Sequence, residues 1–280
     1  MKEQKKIILL YSKGHLGSTI LLNKVLKMKC YQVCGIIKAQ AINYDSKGLQ
    51  KAQKKFQKMG FRFSFMLFWQ QVIQKLAFTT AKLLRLNKKS LLSASHFENI
   101  PSISCKNINS NEAIRFIEEI KPDLLISAYF PQILKEEILE LPKIGTLNIH
   151  PGILPDMKGA MSYFHVLNEN KKEAGVSIHW MDTGIDTGKL ISQKSFKISP
   201  RMTQENVLVK TAFIGASLLK TIGRKLQNGE PLIEIERTNQ GKYFAMPQRG
   251  DFLNYMKSHR FFRIRDIVGL ILWRPLRKHF

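Results

Sequence analysis

Cysteine is scarce in this sequence. Only Cys30, Cys34 and Cys105 occur among its 280 residues. Three thiols cannot form the disulfide framework of a small secreted protein, and the Cys30-x-x-x-Cys34 spacing lacks the further ligands that a zinc site needs. We therefore predict that these side chains fill small apolar spaces, that the chain folds in a reducing compartment, and that it binds no metal ion.

Long hydrophobic runs are also missing. No stretch of 18 uninterrupted apolar residues occurs, so the sequence predicts no transmembrane span. The basic residues at positions 1–6 precede only the short apolar run Ile7–Tyr11, and no small-residue cleavage pattern follows it. This run is predicted to be a first strand rather than a signal peptide, and the expected location is the cytoplasm.

Acidic residues are few, and their scarcity is uneven. The chain carries 45 Lys and Arg against 21 Asp and Glu, a net charge of +24 at pH 7. Residues 1–100 hold 19 basic against 3 acidic residues and residues 241–280 hold 9 against 2, whereas residues 101–240 are nearly balanced at 17 against 16. A basic surface attracts nucleic acid, anionic membrane or phosphorylated substrates, so the flanks are where such a partner is expected.

The rest of the sequence alternates short apolar runs with segments of helical periodicity. Strands are predicted over Lys6–Ser12, Tyr31–Ala39, Leu124–Ala128, Gly145–His150 and Gly175–Met181, and helices over Ser18–Lys29, Asn111–Ile120, Pro131–Leu139, Ala160–Asn168 and Thr203–Asn228. This alternation is typical of an α/β fold, with a mostly parallel twisted sheet and helices on both faces, here with a helical insertion and a short helical C-terminal tail. Functional residues of such sheets gather at the carboxyl ends of the strands.

Residues 43–95 interrupt the alternation with a basic helical insertion. Apolar residues recur at helical spacing within Phe61–Leu86, and residues 46–89 contain 11 basic residues and no acidic one. Two interpretations stay open: a helix that packs on the core or at a dimer contact, and an interfacial helix that lies on anionic lipid. The segment 260–278 also mixes basic and aromatic residues.

Polar residues of three chemical types mark a candidate catalytic site. Asn148 and His150 stand at positions i and i+2 of a predicted strand, so both side chains leave the same face near its end. The loop after a later strand supplies Asp182 and Asp186. An amide, an imidazole and a carboxylate held together can polarise a carbonyl group and transfer a proton.

The segments Asn148–Pro155 and Asp182–Gly188, with Gly159 between them, resemble the folate-dependent formyltransferases. That family includes glycinamide ribonucleotide, methionyl-tRNA and amino-sugar N-formyltransferases. The resemblance covers residues 105–227 well and the first 40 residues loosely. It implies a Rossmann-like fold and 10-formyltetrahydrofolate as the co-substrate.

The resemblance also implies three catalytic roles. Asn148 would donate an amide N–H to the developing oxyanion. His150 would stabilise the same oxygen when protonated or accept the amine proton when neutral, and the sequence leaves both open. Asp186, rather than Asp182, would hold the imidazole or a bridging water.

The folate site is implied by the same resemblance. The pteridine would dock beside the Asp-rich loop, mostly on backbone groups, with the segment before the catalytic strand lining the pocket. The cofactor-binding residues predicted in this way are Tyr129, Phe130, Ile133, Leu134, Asp182, Gly184 and Ile185. Core packing is the alternative for Tyr129–Leu134, and loop capping is the alternative for Asp182.

The turn between the first strand and the first helix contains Gly14, Gly17 and Ser18. Backbone N–H groups at a helix N-terminus can hold a substrate phosphate, and a plain tight turn is the alternative. The glycine spacing does not match the dinucleotide-binding pattern. His165 and His179 are interpreted as structural histidines.

The layout of the chain predicts the acceptor. Residues 243–251 resemble a segment of amino-sugar N-formyltransferases, in which a short tail follows the catalytic domain. We therefore expect a catalytic domain at 1–230, which contains the insertion 43–95, and a basic C-terminal extension at 231–280. The predicted function is formylation of the amine of an amino sugar on a nucleotide or lipid phosphate carrier, and glycinamide ribonucleotide or methionyl-tRNA is the alternative acceptor.

Several partners fit these predictions. The first partner expected is a small-molecule amine, phosphorylated or carrier-linked. An anionic membrane surface and a homodimer contact are also expected, and nucleic acid is less favoured. A membrane contact would place the protein peripherally on the inner face of the membrane. A different class of function also stays open, a non-catalytic membrane- or nucleic-acid-binding protein on a formyltransferase scaffold. Intact Asn148, His150 and Asp186 argue against that class, because binding alone would not need all three.

Overall fold

Apolar runs of the sequence form a seven-stranded sheet. The computed structural model describes residues 3–39, 56–85, 99–237 and 240–261, and positions 263, 265, 266, 268 and 269. The strands are β1 (Lys5–Ser12), β2 (Tyr31–Ala39), β3 (Ser102–Cys105), β4 (Leu124–Ala128), β5 (Gly145–His150), β6 (Lys158–Gly159), β7 (Glu173–Trp180), β8 (Leu190–Lys197) and β9 (Tyr243–Phe244). The order across the large sheet is β3-β2-β1-β4-β5-β7-β8, and β6 pairs with β9 separately.

The sheet is parallel from β3 to β5 and antiparallel beyond β5. β7 pairs antiparallel with β5, and β8 pairs antiparallel with β7. This arrangement confirms the predicted mostly parallel α/β sheet. The carboxyl ends of β1, β4 and β5 lie side by side at one edge, which is where functional side chains are expected.

Helices cover both faces of this sheet. They are α1 (Leu16–Val25), α2 (Phe61–Leu83), α3 (Asn111–Ile120), α4 (Glu136–Leu139), α5 (Ser162–Asn168), α6 (Gln204–Asn228) and α7 (Arg249–Ser258). Buried residues of α1 and α6 share one apolar cluster with the sheet, and those of α3 share another on the opposite face. α6 begins after Thr203, whose hydroxyl accepts the Asn206 N–H at 3.3 Å, and it ends at Gly229 with φ +74°.

The predicted helix Pro131–Leu139 is wrong over its first half, because only α4 is helical. Gln132 accepts the backbone N–H of Ile108 on its Oε1 at 2.6 Å, and the Asn109 amide donates to the carbonyl of Ile133 at 3.0 Å. Asn109 also accepts the Lys135 N–H on Oδ1 at 2.7 Å, so its side chain satisfies two backbone groups that a helix would otherwise use, and the segment stays irregular.

The insertion and the tail pack onto the catalytic domain through aromatic residues. Phe63 of α2 is fully buried. Its ring centroid lies 5.4 Å from that of Phe164 in α5, 5.2 Å from Phe252 in α7 and 5.9 Å from Phe261. The described parts of the insertion and the tail therefore share one apolar cluster with the domain between them.

Membrane-spanning helices were not expected from the sequence. In the ranges given above, no helix is long and apolar enough to cross a membrane. Residues 43–55 and 86–95 of the predicted insertion and 270–280 of the predicted tail lie outside the described residues.

Candidate active site

The end of β5 presents two of the predicted catalytic side chains. Asn148 and His150 share one face of the strand because they are two residues apart. In the antiparallel neighbour β7, His179 lies directly opposite Asn148. Side chains at directly opposed positions lie on the same face, so an amide and two imidazoles gather at this strand end.

The loop between β7 and β8 brings Asp186 to the same place. Its backbone is left-handed, with φ +54°, which is uncommon for a residue with a side chain. Arg237 holds this conformation by donating to the carbonyl of Asp186 at 2.6 Å and to the carbonyl of Gly188. Gly188 is itself required, because a Cβ there would collide with the carbonyl of Trp180.

The Asp186 carboxylate joins the cluster together. The Gly159 N–H donates to Oδ2 at 2.8 Å, and the Asn148 amide donates to Oδ1 at 3.3 Å. His150 Nδ1 lies 3.4 Å from Oδ2, and His179 Nε2 lies 3.4 Å from Oδ1. The structure therefore brings the three predicted catalytic residues together. It adds the imidazole of His179 and the N–H of Gly159, to which the sequence assigned no catalytic role.

The charge states follow from burial and from these contacts. Burial alone raises the pKa of Asp186, but the nearby imidazoles of His150 and His179 and the hydrogen bond from the Gly159 N–H lower that pKa to about 2. Burial lowers the pKa of His150, although Asp186 and the Met157 carbonyl oppose the shift. Asp186 is therefore ionised, and the neighbouring imidazole of His150 is neutral at rest. Once His150 takes up a proton, the Asp186 carboxylate stabilises the imidazolium.

The tautomer of His150 follows from its partners. Its Nε2 lies 2.6 Å from the carbonyl oxygen of Met157, which can only accept, so Nε2 carries the hydrogen. The hydroxyl of Ser162 lies 3.1 Å from the same nitrogen. Nδ1, on the side of Asp186, is therefore the nitrogen that can accept a proton.

His179 was interpreted from sequence as structural, and that interpretation missed its place in the cluster. Its Nδ1 lies 2.6 Å from the carbonyl of Trp180, so Nε2 is left to accept the Asn148 amide at 3.1 Å. The two N–H groups of Asn148 consequently face His179 and Asp186. The period-2 pattern of β7 places His179 on one face of the strand, but local patterns do not reveal that β5 pairs with β7.

Two predicted folate residues face other parts of the protein. Leu134 is buried in the cluster under α3, as the core-packing alternative holds. Tyr129 has φ +56°, stacks on His15 at 4.8 Å, and places its hydroxyl 3.1 Å from that of Thr211. The Tyr129 ring therefore packs against the turn before α1.

The remaining predicted folate residues divide into three groups. Asp182 caps its own loop, because it accepts the Gly184 N–H at 3.2 Å and the Thr187 hydroxyl at 2.7 Å. Ile133 and Ile185 are 61% and 42% exposed. Phe130 is partly buried against the same cluster as Leu134. The two isoleucines are thus the members of the set whose apolar side chains stay open to a ligand.

The turn predicted to hold phosphate is closed by its own residues. His15 caps α1 by accepting the Ser18 N–H on Nδ1 at 3.4 Å, and the Ser18 hydroxyl accepts the Ser12 N–H at 3.0 Å. Gly17 and Ser18 are both buried. Only Gly14 of the predicted set borders open space, so the geometry favours the tight-turn alternative.

A cavity of about 100 Å³ with both polar and apolar walls lies between this turn, α2 and the start of α6. Its polar wall includes Gln70 and Gln74 of α2, which donate to Glu205 Oε2 at 2.8 Å and 3.4 Å. Gln204 donates to Gln70 at 3.3 Å, while its own buried Oε1 has no hydrogen-bond partner within the described chain. Tyr163 lines the cavity as well. None of these polar residues was identified from sequence.

The cavity lies next to the catalytic cluster. Met161 and Tyr163 line it, and Ser162 between them contacts His150. Burial raises the pKa of Glu205 to about 7, although the Gln70 and Gln74 amides oppose the shift. A carboxyl group that changes charge near neutral pH therefore faces the space beside the catalytic residues.

Comparisons with known proteins give one consistent result. A family model described as formyl transferase matches residues 69–222. Methionyl-tRNA formyltransferase from Methylacidiphilum infernorum is 33% identical over 168 residues, which are 60% of this chain and 47% of that protein. The bifunctional polymyxin resistance protein ArnA from Wigglesworthia glossinidia brevipalpis is 35% identical over 173 residues, 61% of this chain and 25% of that protein. The matched part of the chain thus spans about half or less of these relatives.

Solved structures share the fold over most of the chain. A sugar N-formyltransferase from Shewanella sp FDAARGOS_354 aligns with a TM-score of 0.56 and 18% identity over 93% of this chain and 91% of that one. Glycinamide ribonucleotide transformylase 1 from Symbiobacterium toebii aligns with a TM-score of 0.54 and 17% identity over 82% and 91% of the two chains. At these identities the likeness establishes the fold.

Glu205 offers a test of the cavity through stability. Its pKa is about 7 in the folded protein and 4.5 for a glutamate side chain exposed to water, so the folded state binds this proton more tightly and stability falls as pH rises between those values. Glu205→Gln keeps an acceptor oxygen for Gln70 and Gln74 but carries no charge. In urea unfolding, we expect the free energy of unfolding of this variant to exceed that of the wild type by about 3 kcal/mol at about pH 8. Near pH 4 the two free energies should be equal.

Glu119→Gln is the matched control, because Glu119 is an exposed carboxylate on α3. Its stability relative to the wild type should not vary in this way with pH. Equal stabilities of wild type and Glu205→Gln at about pH 8 would contradict the buried-carboxyl description.

Proposed function

Because this chain belongs to the formyl transferase family, we propose that it transfers a formyl group from 10-formyltetrahydrofolate to a primary amine. The observation that carries the proposal is the buried, ionised Asp186 held against Asn148 and His150 at the carboxyl end of β5. Desolvating a carboxylate is costly, and a site that only bound a ligand would not need an imidazole poised beside it.

The reaction forms a bond between the amine nitrogen and the formyl carbon and breaks the bond from that carbon to the folate nitrogen. The amine must lose a proton, and the folate nitrogen must gain one. His150 accepts the proton at Nδ1, because Nε2 already donates to the Met157 carbonyl. Asp186, 3.4 Å from Nδ1, stabilises the imidazolium that results.

Asn148 is assigned to the oxyanion that forms on the formyl oxygen. Both of its N–H groups have protein partners in this structure, at 3.1 Å to His179 and 3.3 Å to Asp186. The longer contact is the one that the formyl oxygen replaces on binding. The contact to His179 then holds the amide plane in place while the second N–H acts on the substrate.

The donor is assigned to the surface beside the Asp186 loop. Ile133 and Ile185 present exposed apolar side chains that a flat pteridine ring can cover. Asp182 keeps the loop in shape through its bonds to Gly184 and Thr187, and so supports the site without needing to touch the ligand. The free cysteines suit a reducing cytoplasm, where we place the reaction.

The acceptor is assigned to the cavity beside α2. Amide and carboxyl groups of Gln70, Gln204 and Glu205 offer both donors and acceptors, which is the chemistry that recognises a polyhydroxylated ring. The amine of an amino sugar on a nucleotide or lipid phosphate therefore fits this wall best. Glycinamide ribonucleotide and methionyl-tRNA are the alternative acceptors, and relatives bearing those names match this chain.

The first prediction from this proposal concerns the catalytic residues. Asn148→Ala, His150→Ala and Asp186→Ala should each lower the rate of formyl transfer by on the order of a hundredfold or more, because each acts on charge that develops in the transition state. Circular dichroism should show an intact fold. Asp182→Ala tests the other carboxylate of the loop and should cost less activity than Asp186→Ala, because Asp182 acts only by keeping the loop in shape. Near-normal turnover by Asp186→Ala with an inactive Asp182→Ala would show that the catalytic carboxylate is Asp182.

The second prediction concerns the donor. A reduced folate should stabilise the purified protein by roughly 2.7 kcal/mol at a hundredfold excess over its dissociation constant. Ile185→Ser should weaken this stabilisation, whereas Ile233→Ser, at another exposed isoleucine, should not. Absence of any thermal shift or calorimetric binding with every reduced folate would refute the enzymatic proposal.

The third prediction concerns the acceptor. In assays with 10-formyltetrahydrofolate, nucleotide-linked amino sugars should be formylated in preference to glycinamide ribonucleotide and methionyl-tRNA. Gln70→Leu should raise the KM for the amino sugar and leave the KM for the folate unchanged, because Gln70 lines only the acceptor cavity. Preferential formylation of another amine would overturn the acceptor and leave formyl transfer standing.

A further inference from the structure

The outward face of α2 is largely apolar, with the exposed Thr79 as a polar residue within it. Its exposed apolar members are Phe61, Phe65, Phe68, Trp69, Leu76 and Leu83, with exposed fractions from 45% for Trp69 to 78% for Leu83. At 100° per residue these six positions fall within about one third of the helix circumference. We call them the outer face of α2.

The outer face carries a ladder of exposed rings. The centroids of Phe61 and Phe65 are 5.8 Å apart, and those of Phe65 and Trp69 are 6.1 Å apart. Phe56, before the helix, extends the ladder at 6.3 Å from Phe61. Exposed aromatic surface in a continuous patch marks an interaction site on a folded protein.

The inner face of α2 already has its partners, so the outer face is not needed for packing. Phe63, Ala77 and Ala81 are buried, and Gln70 and Gln74 bond to Glu205. The helix is thus anchored on one side by core contacts. Its exposed side is free to meet something else without detaching the helix.

Basic residues of α2 border the outer face, and α2 itself contains no acidic residue. Arg62 lies at one edge of the stripe and Lys75 and Lys82 lie at the other, and all three are exposed. Residues 46–89 contain no Asp or Glu. An apolar stripe with cationic edges complements a surface that is apolar within and anionic at its rim.

We propose that the outer face of α2 docks on an anionic lipid surface, with the helix lying along the plane of the membrane. The 23 residues of α2 give it a length of about 35 Å, enough for its rings to enter the interface while Arg62, Lys75 and Lys82 reach lipid headgroups. This docking is independent of the proposed formyl transfer.

Charge distinguishes lipid from a second copy of the chain. A symmetric dimer through this face would bring the same cations of two protomers together without any carboxylate on the face to pair with them. An anionic bilayer instead supplies the opposite charge along the whole helix. Electrostatic complementarity therefore favours lipid.

The test is flotation of the full chain with phosphatidylcholine vesicles that contain or lack phosphatidylglycerol. The wild type should float with the anionic vesicles only, and high salt should release part of it. The double variant Phe65→Ser/Trp69→Ser should bind the anionic vesicles at least tenfold more weakly, and so should Lys75→Glu/Lys82→Glu. Both variants should keep the melting temperature of the wild type within a few degrees.

Matched changes elsewhere serve as controls. Ile233→Ser removes an exposed apolar side chain, and Lys194→Glu/Lys197→Glu reverses two exposed charges on β8. Neither should alter flotation as strongly. Trp69 gives a second readout, because its fluorescence should shift to the blue with anionic vesicles, and Trp69→Phe should lose that shift while still floating.

Two results would overturn the proposal. One is a wild-type protein that binds neither kind of vesicle, or that binds equally well after Phe65→Ser/Trp69→Ser. The other is a wild-type dimer in sedimentation that the double variant converts to a monomer, which would assign the outer face to a second copy of the chain.

Discussion

A buried negative charge is the constraint on which the site depends. The side chain of Asp186 is only 10% exposed, and a carboxylate out of water is destabilising unless donors surround it. The N–H of Gly159 and the amide of Asn148 supply them from two separate strands. Because these groups come from β5 and β6 and the carboxylate from the β7–β8 loop, the charge is satisfied only when the sheet order and the loop are both correct. The negative charge that stabilises an imidazolium on His150 is therefore in place before any substrate binds.

The inserted helix α2 connects the interior of the site to the outside of the molecule. One side of it holds Phe63 in an aromatic cluster and directs Gln70 at Glu205, and the other side carries the exposed rings. Helical periodicity allows one segment to serve both purposes, since residues three or four apart share a face. Core packing, one of the two interpretations of the insertion that the sequence left open, therefore describes the inner side of this helix, and lipid contact is our proposal for its exposed side.

Local patterns were enough to predict what a strand or helix decides by itself. The bounds of β2, β4 and β5 followed from apolar runs, and the i, i+2 rule placed Asn148 beside His150. Long-range pairing was beyond such patterns. His179 reaches the cluster because β7 runs antiparallel to β5, and Glu205 meets Gln70 across 135 residues of chain. The sequence analysis did not predict β8, because an edge strand with few buried residues lacks a strong apolar pattern.

The C-terminal residues hold both halves of the site in place. Arg237 bonds to the carbonyl of Asp186, whose positive φ needs such support. Asp266 accepts the Thr203 hydroxyl at 3.0 Å and the Asn206 amide at 2.9 Å, which fixes the start of α6 next to Glu205. A chain divided at residue 230 would lose the support of the catalytic loop and that of the cavity wall together. The extension that sequence alone sets apart from the catalytic domain is, in the fold, part of what positions it.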